Sequence, residues 1–273
     1  MNLAHVAPTE RLTPRAHPRL YWALADALAI AKRQLRQIPR IPDELITATL
    51  QPVIIVLLFR YLFGGAIVVP DTSYVNYLMA GAFVQAAVFA SANTGVGIAS
   101  DLRRGLIDRF RSLPMAQSAV LTGRIFADLV RNTFVILVVW GIGLLVGFRP
   151  TGTGPAWIAA STLVLLMSFV FSWLSALVGL LIPSPEAVAQ AGIVWLLPFV
   201  FGSSALVPVN TLPGWLQAFA DHQPVSLMMD AVRGLLLDHP SGTIIWQALA
   251  WSGGLLIVLI PLAIWAYGRR TAR

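Results

Sequence analysis

Long apolar runs separated by short polar segments dominate this chain. Six of the runs are long enough to cross the roughly 30 Å hydrocarbon core of a bilayer as α-helices, which takes about 20 residues each. They cover residues 45–69, 74–99, 125–148, 157–182, 188–207 and 244–267. The pattern predicts an all-α polytopic membrane protein with six transmembrane helices.

The polar segments leave no room for a soluble catalytic domain. We expect residues 1–44 to form a cytoplasmic N-terminal segment and residues 45–273 to form the six-helix transmembrane domain. No cleavable signal peptide is predicted, because the start of the chain is polar and proline-rich and the next apolar run contains Asp26. Charged residues make up 11% of the chain, against about 25% in an average soluble domain. Lipid is therefore the main expected solvent.

The basic residues indicate the orientation, because cytoplasmic loops retain lysine and arginine. They cluster in the N-terminal segment, in the link between the second and third runs, and at the C-terminus: Arg11, Arg15, Arg19, Lys32, Arg33, Arg36, Arg40, Arg103, Arg104, Arg109, Arg111, Arg124, Arg269, Arg270 and Arg273. The opposite side holds only Arg149 and Arg233. Both termini are therefore predicted to be cytoplasmic. The topology accounts for the net charge of +7, so no nucleic-acid partner is expected.

Residues 20–38 have the period of an amphipathic helix. Apolar residues recur every three or four positions, while Lys32, Arg33 and Arg36 fall on the other side. Such a helix suits the cytoplasmic membrane interface, where its basic face can meet a partner. The alternative is a helix that packs on the transmembrane domain of its own chain and meets no partner.

The link between the second and third runs contains a second amphipathic stretch, residues 101–114. Its apolar stripe consists of Leu102, Leu106, Phe110 and Leu113, and its other side carries Arg104, Asp108 and Arg111. We expect a short helix at the membrane face, ended by Pro114, whose charged side can transmit motion to another subunit.

The link between the fifth and sixth runs is too apolar to be a solvated loop. Leu212, Trp215, Leu216 and Phe219 are predicted to line one short helical face, and residues 225–237 are largely apolar. Pro213 and Pro224 suit helix starts. Because irregular backbone at membrane depth must be covered by protein or line a watery cavity, we expect these helices to dip into the outer leaflet and roof a pathway.

Two runs carry a family resemblance. The run RRGLIDRFRSLPMAQSAVLTGR, residues 103–124, resembles the cytoplasmic coupling segment of type-2 ABC exporter permeases, especially the daunorubicin-resistance-type drug exporters of high-GC bacteria. The run SSALVPVNTLPGWLQAFADHQPVSLMMDAVRGLL, residues 203–236, is similar to the segment after the fifth span in the same family. Span count and spacing agree along nearly the whole chain. Gln117 departs from the family, which often has a basic residue there.

The resemblance implies two functional regions. The residues expected to couple to a separate ATPase subunit are Leu102, Arg104, Leu106, Asp108, Arg109, Phe110, Arg111, Leu113, Lys32, Arg33, Arg36 and Glu186. The residues expected to form an outer re-entrant gate are Pro213, Trp215, Phe219, Pro224 and Arg233.

The resemblance also implies the assembly and the cargo. Two ATPase subunits, which bind ATP and magnesium, would join this chain and a second permease that is identical or homologous. This chain itself would bind no cofactor. The complex would export an amphipathic drug, polyketide or lipid across the cytoplasmic membrane of a bacterium, in contact with membrane lipids.

Several single residues have simpler explanations. Arg60 can reach the outer interface from its apolar run, or it can contact substrate or the second permease. Asp128 and Arg131 are three apart on one helix and are expected to pair. Ser184 and the two residues after it have the order of an N-cap, a first-turn proline and an acidic partner for the helix dipole.

Other classes of protein fit less well. No GxxxxGK[ST] loop is present, so the chain should not hydrolyse ATP. An ion-coupled transporter needs an ionisable group near the bilayer middle, and Asp101, Asp128 and Glu186 all lie near the ends of runs. A membrane enzyme needs a convergent polar site, but no histidine falls within a run. The Asp-His dipeptides at 221–222 and 238–239 lack the spacing of a metal site.

Overall fold

The computed structural model describes Lys32 and residues 42–67, 69, 72–105 and 117–271, and within these residues all regular structure is helical. The helices, numbered here in chain order, are α1 Pro42–Leu58, α2 Tyr74–Arg103, α3 Gln117–Leu145, α4 Gly154–Leu181, α5 Pro185–Phe201, α6 Gly214–His222, α7 Pro224–Leu236 and α8 Gly242–Thr271. A π-helical turn, Phe59–Phe63, follows α1, and a 3₁₀ turn, Val209–Thr211, precedes α6.

The long helices run back and forth between two ends of the molecule. The Asp101 end contains the C-termini of α2, α4 and α8 and the N-termini of α3 and α5. There the guanidinium of Arg270 donates from Nε to the carbonyl of Leu180 at 2.9 Å, which caps the C-terminus of α4. The Tyr74 end contains the opposite termini, together with α6 and α7. There the backbone N–H of Arg149 donates to Asn76 Oδ1 at 3.0 Å.

Helix α2 lies at the centre of the fold and α8 at its periphery. Of the most apolar 18-residue window in each helix, 83% is buried within the protein for α2 and 22% for α8. A buried helix can carry small or weakly polar side chains on all sides, whereas a helix at the periphery must present apolar side chains to lipid. This explains why α2 is rich in Ala, while α8 is rich in Leu, Ile and Trp.

Small residues bring the backbones of α2 and α4 into contact. A side-chain carbon added to Gly95 would overlap the backbone of Ser175, and one added to Gly179 would overlap the backbone of Gly95. The hydroxyl of Ser175 also donates to the carbonyl of Ala92 at 3.0 Å. Close backbone packing of this kind is typical of helix pairs in membranes, where van der Waals contact replaces the hydrophobic effect as the main attraction.

Among the described residues, four helices are long and apolar enough to span a bilayer: Tyr74–Arg103, Leu121–Leu145, Gly154–Leu181 and Gly242–Arg270. They coincide with the predicted second, third, fourth and sixth spans. The helices at the predicted first and fifth spans are apolar but shorter, Thr49–Phe63 and Pro185–Phe201. The fifth run therefore contains a helix that stops at Phe201 and an irregular segment, residues 202–207, instead of one continuous helix.

The second span extends further than its hydropathy predicted. Asp101, Leu102 and Arg103 form the last turn of α2, and Gly105 has a φ of +66° in the left-handed region that ends many helices. The prediction that a separate helix begins at residue 101 is therefore wrong at its start. Residues 106–116, with the rest of that predicted helix, lie outside the described residues.

The outer faces of the molecule are apolar. Large side chains that are exposed in the isolated chain include Ile46, Leu50, Ile54, Leu58, Phe126, Val130, Phe134, Leu137, Ile193, Val194, Leu197, Trp246, Ile257 and Val258. On α1 they recur every four residues and form one continuous face. A water-soluble monomer rarely exposes such extended apolar patches, so these faces suit lipid or another apolar helix.

Candidate functional site

A chain of four alternating charges crosses from α2 to α3 at the Asp101 end. Arg124 on α3 pairs with Asp101 on α2, and Arg124 Nε lies 3.9 Å from an oxygen of Asp128. Asp128 in turn lies 3.2 Å from Arg131 Nη2, which confirms the predicted pair. We call these four residues the charge chain. The spacing of four and three residues places its α3 members on one helical face.

The charge chain is largely shielded from solvent. The side chains of Asp128 and Arg131 are 8% and 10% exposed, while those of Arg124 and Asp101 are 17% and 26% exposed. Charges with this burial require partners, because an unpaired one costs several kcal/mol of solvation free energy. Alternation of sign supplies each inner charge with an opposite neighbour.

Gly97 makes room for the guanidinium of Arg124. A side-chain carbon at Gly97 would overlap that guanidinium. Gly97 lies one helical turn before Asp101 on the same face of α2. The guanidinium therefore lies against α2 at Gly97 and reaches the carboxylate of Asp101.

A second ion pair links α2 to α5 at the same end. Arg103 Nη1 lies 2.9 Å from Glu186 Oε1, and the two side chains are 63% and 71% exposed. Ser184 caps α5 by accepting from the backbone N–H of Ala187 at 3.1 Å, which confirms the predicted start of this helix. A hydrogen bond from its own backbone N–H, with a further contribution from Arg103, lowers the pKa of Glu186 below its ordinary value.

The predicted coupling residues are only partly described. Leu102 is half-buried and packs on the core, while Arg104, Glu186 and Lys32 are exposed. The structure places Glu186 beside Arg103, a residue absent from the predicted set. The others lie outside the described residues: Leu106, Asp108, Arg109, Phe110, Arg111, Leu113, Arg33 and Arg36.

At the Tyr74 end, side chains of Tyr77 on α2 and of Gln223, the residue between α6 and α7, hold the end of α5 and the irregular segment 202–207. Tyr77 donates from its hydroxyl to the carbonyls of Ser204 and Val207, at 2.8 and 3.0 Å. Gln223 donates from Nε2 to the carbonyls of Phe199 and Gly202, at 3.0 and 2.8 Å. These carbonyls lack helical partners where α5 ends, so side-chain donors satisfy groups that would otherwise be buried and unpaired.

Arg233 on α7 contacts three separate parts of this end. Its Nη2 donates to the carbonyl of Ser204 at 2.6 Å, its Nη1 pairs with Asp230 at 2.5 Å, and its guanidinium lies 3.8 Å from the centre of the Tyr77 ring. Asp230 also accepts from the hydroxyl of Ser204 at 2.7 Å. The planar, multidentate guanidinium suits such a junction better than an ammonium group would.

An open recess of about 550 Å³ lies beside this junction. Its lining combines polar and apolar groups and comprises Val69, Thr72, Asn76, Tyr77, Thr151, Pro208, Asn210, Asp230, Arg233, Gly234, Leu237 and His239. The volume lies within the range of small-molecule pockets. The Asp230–Arg233 pair neutralises its own charge in the wall, so the recess has no uncompensated charge from this pair.

The other predicted gate residues lie on α6 and α7. Pro213 directly precedes α6 and Pro224 occupies the first turn of α7, as predicted. Trp215 is 76% exposed, and Phe219 is also exposed, with its ring 6.2 Å from that of Phe199. Leu216 and Phe219 both have side-chain atoms beside Gly202, while Gln217 is half-buried and Ala220 is buried.

The sequence signals for several of these residues were weak. Arg124 was recognised only as part of a basic cluster, and Tyr77 and Gln223 were not recognised. Their roles depend on partners 23, 127 and 24 positions away along the chain. Periodicity within one element does not report such contacts.

Arg60 does point toward the Tyr74 end, where its Nε lies 3.4 Å from the carbonyl of Val146.

Within the described part of the chain, no three histidine or acidic side chains come together in a way that could hold a metal ion. The two ends of the molecule thus offer paired charges and hydrogen-bonding groups, whereas the faces between them are apolar. This arrangement is that of a multi-pass membrane protein.

Comparison with known proteins identifies the kind of membrane protein. Residues 26–237 match the model of the ABC-2 type transporter family. Over 261 residues the chain is 32% identical to the daunorubicin resistance ABC transporter permease protein DrrB1 of Streptomyces coeruleorubidus, an alignment that covers 96% of this chain and 92% of that protein. It is 29% identical over 262 residues to a Mycobacterium tuberculosis protein named "Probable doxorubicin resistance ABC transporter permease protein DrrC", with 95% and 94% coverage.

The chain therefore belongs to the ABC-2 type transporter family, which confirms the resemblance seen in residues 103–124 and 203–236. It is a transport permease and has no ATPase site of its own.

Proposed function

We propose that this chain is the permease subunit of an exporter that moves an amphipathic drug, polyketide or lipid out of a bacterial cell. A separate ATP-binding-cassette ATPase, which binds ATP and magnesium, supplies the energy. The observation that carries the proposal is the similarity, across 96% of the chain, to a permease named for daunorubicin resistance. The apolar outer faces support placement in the cytoplasmic membrane.

Six spans with both termini in the cytoplasm complete the proposed topology. The helix α1 and its π-helical turn extend from residue 42 to residue 63, about 33 Å at the rise of an α-helix. The 17 residues of α5 extend about 26 Å, and segment 202–207 continues from them. Both lengths are close to the thickness of the hydrocarbon core. The Asp101 end is then cytoplasmic and the Tyr74 end faces outward, as the basic residues predict.

The ATPase docks at the Asp101 end, through residues 101–114 and the basic N-terminal helix predicted for residues 20–38. Exposed charges on Arg103, Arg104 and Glu186 support this choice, because they offer a polar surface where α2 ends and the link begins. Lys32, in the N-terminal segment, is also exposed. Two ATPase subunits and a second permease, identical or homologous, complete the transporter, and the transport pathway lies between the permeases.

The helices α6 and α7 form the outer gate. They are short, lie between α5 and α8, and carry Pro213, Trp215, Phe219, Pro224 and Arg233. The exposed indole of Trp215 suits the membrane interface. In this proposal both helices re-enter the outer leaflet, and the recess beside Arg233 opens to the outside.

Reconstitution tests the proposal. The permease is purified alone and together with the ATPase that copurifies from its native membrane, and both preparations are placed in liposomes. We expect the permease alone to bind and hydrolyse no ATP. With the ATPase, we expect ATP-dependent movement of doxorubicin, the drug for which a relative is named, or of a labelled lipid in a parallel assay.

Two results would contradict the proposal. ATP turnover by the pure permease, with contaminating ATPases excluded by a purified control from cells lacking it, would overturn the assignment of the energy source. Transport that needs no ATPase and stops when a proton ionophore is added would favour an ion-coupled transporter instead.

A further inference from the structure

The link 104–116 is anchored at both of its ends by one ion pair. Asp101 lies in the last turn of α2, just before the link, and its partner Arg124 lies in α3, just after it. The two residues are 23 positions apart in sequence. Any displacement of the link therefore acts on α2 and α3 where they are already joined.

The rest of the charge chain extends this junction along α3. Arg124 also approaches Asp128, and Asp128 pairs with Arg131 one turn deeper, where side chains are about nine-tenths buried. Removal of one member leaves its neighbours with an uncompensated charge in a poorly solvated place. The charge chain therefore holds α2 and α3 together more strongly than an exposed ion pair, such as Arg103–Glu186 between α2 and α5, holds its two helices.

Gly97 lies against the guanidinium of Arg124 in this contact. A Cβ at position 97 would overlap the guanidinium in its present position, so the arginine would have to shift. A longer residue at position 97 would lift the arginine away without changing any charge. The contact thus depends on both electrostatic pairing and the close approach of two specific positions.

We infer that Arg124 is a positioning residue for energy coupling. It makes α2 and α3 respond together when the ATPase moves the link, and α2, the central helix, carries that motion into α4 and α5. This inference rests on the proposed function, because it assigns the route by which the ATPase would act. It also distinguishes transmission of motion by Arg124 from attachment of the ATPase by the link itself.

The test uses the complete permease–ATPase complex in liposomes. The variants are Arg124→Gln, which removes the charge, Gly97→Ala, which displaces the guanidinium, and Arg124→Lys, which keeps the charge but loses the planar group. Arg149→Gln is the matched control, since Arg149 is an exposed arginine at the other end. Three quantities are measured: ATPase retained after purification, ATP hydrolysed, and cargo moved per ATP.

We expect Arg124→Gln and Gly97→Ala to retain the ATPase and to hydrolyse ATP, but to move at least about fivefold less cargo per ATP, a typical lower value for coupling between sites. Arg124→Lys should recover part of the loss, and Arg149→Gln should match the wild type. If a variant is not recovered folded, Asp101→Asn replaces it, since it leaves Arg124 beside Asp128.

Two outcomes would overturn the inference. Unchanged cargo per ATP in both Arg124→Gln and Gly97→Ala would make the charge chain a structural connection only. Loss of the ATPase from these variants would show that Arg124 and Gly97 are needed for attachment of the ATPase and not for transmission of its motion. A wild-type complex that moves no cargo with ATP would instead contradict the proposed function, so the two failures are distinguishable.

Discussion

At the scale of single residues, arginines have different roles according to the groups around them. Arg233 joins α7, segment 202–207 and α2 through a carbonyl, a carboxylate and an aromatic ring. Arg149, on the same side in the predicted topology, is exposed, and its guanidinium donates to the nearby carbonyls of Leu144 and Phe148. Burial and the number of separate partners therefore distinguish a junction from a local cap.

This difference predicts unequal effects of two similar substitutions. Arg233→Ala removes a partly buried charge and leaves Asp230 and the Ser204 carbonyl short of a donor, which should cost about 2–4 kcal/mol of stability. Arg149→Ala should cost about 1 kcal/mol or less, because water replaces its partners. Thermal unfolding of the two purified variants in detergent measures the difference. Equal melting temperatures would show that Arg233 is not a junction.

At the scale of elements, the packing of α2 on α4 depends on residues that lack side chains. A Cβ at Gly95 would overlap the backbone of Ser175, and a Cβ at Gly179 would overlap the backbone of Gly95. The hydrogen bond of Asn132 Nδ2 to Ser168, at 2.8 Å, similarly joins α3 to α4 through small polar groups. Helices of a membrane protein approach closely where such residues coincide on facing positions.

Whether a glycine-to-alanine substitution lowers or raises the stability of the permease should therefore depend on its position. Gly95→Ala and Gly179→Ala force backbone atoms apart and should destabilise the permease by about 1–3 kcal/mol. Gly254→Ala on α8 meets no atom within 4 Å, and it should be neutral or stabilising by up to about 1 kcal/mol, because alanine favours the helix. Unfolding of all three variants in the same detergent compares them directly. A loss of stability in Gly254→Ala equal to that in Gly95→Ala would contradict the packing described here.

The sequence predicted elements better than it predicted their ends. Apolar runs identified α2, α3, α4 and α8 as spans, because hydropathy is a property of each segment alone. The end of α5 at Phe201 was not predicted, because residues 202–207 are apolar enough to continue a helix. Their backbone can be irregular because the side chains of Tyr77 and Gln223 hydrogen-bond carbonyls of this segment.

The charge chain escaped detection for a related reason. Asp128 and Arg131 were predicted to pair because both lie on α3, but the contact of Arg124 with Asp101 depends on how two helices meet. The space above Gly97 exists only in the packed structure. The predicted coupling residues at 106, 108–111 and 113 lie outside the described residues, and their role stays a prediction.

At the scale of the whole molecule, both proposals depend on which end faces the cytoplasm. The ATPase can reach the charge chain only if the Asp101 end is inside, and the recess beside Arg233 opens outward only if the Tyr74 end is outside. The basic residues favour this orientation. The absence of cysteine from the sequence permits a direct test, because one introduced thiol gives an unambiguous signal.

A membrane-impermeant maleimide reports the orientation in intact cells. Asn210, exposed at the Tyr74 end, and Gln117, at the start of α3, are replaced one at a time by cysteine. We expect Asn210→Cys to be labelled in sealed cells and Gln117→Cys only after the membrane is opened. Gln217→Cys on α6, which is half-buried, should react outside but more slowly than Asn210→Cys. Labelling of Gln117→Cys in sealed cells, with Asn210→Cys protected, would show that the orientation is the opposite of the predicted one. The charge chain would then lie away from any cytoplasmic ATPase, and the proposed coupling would be impossible.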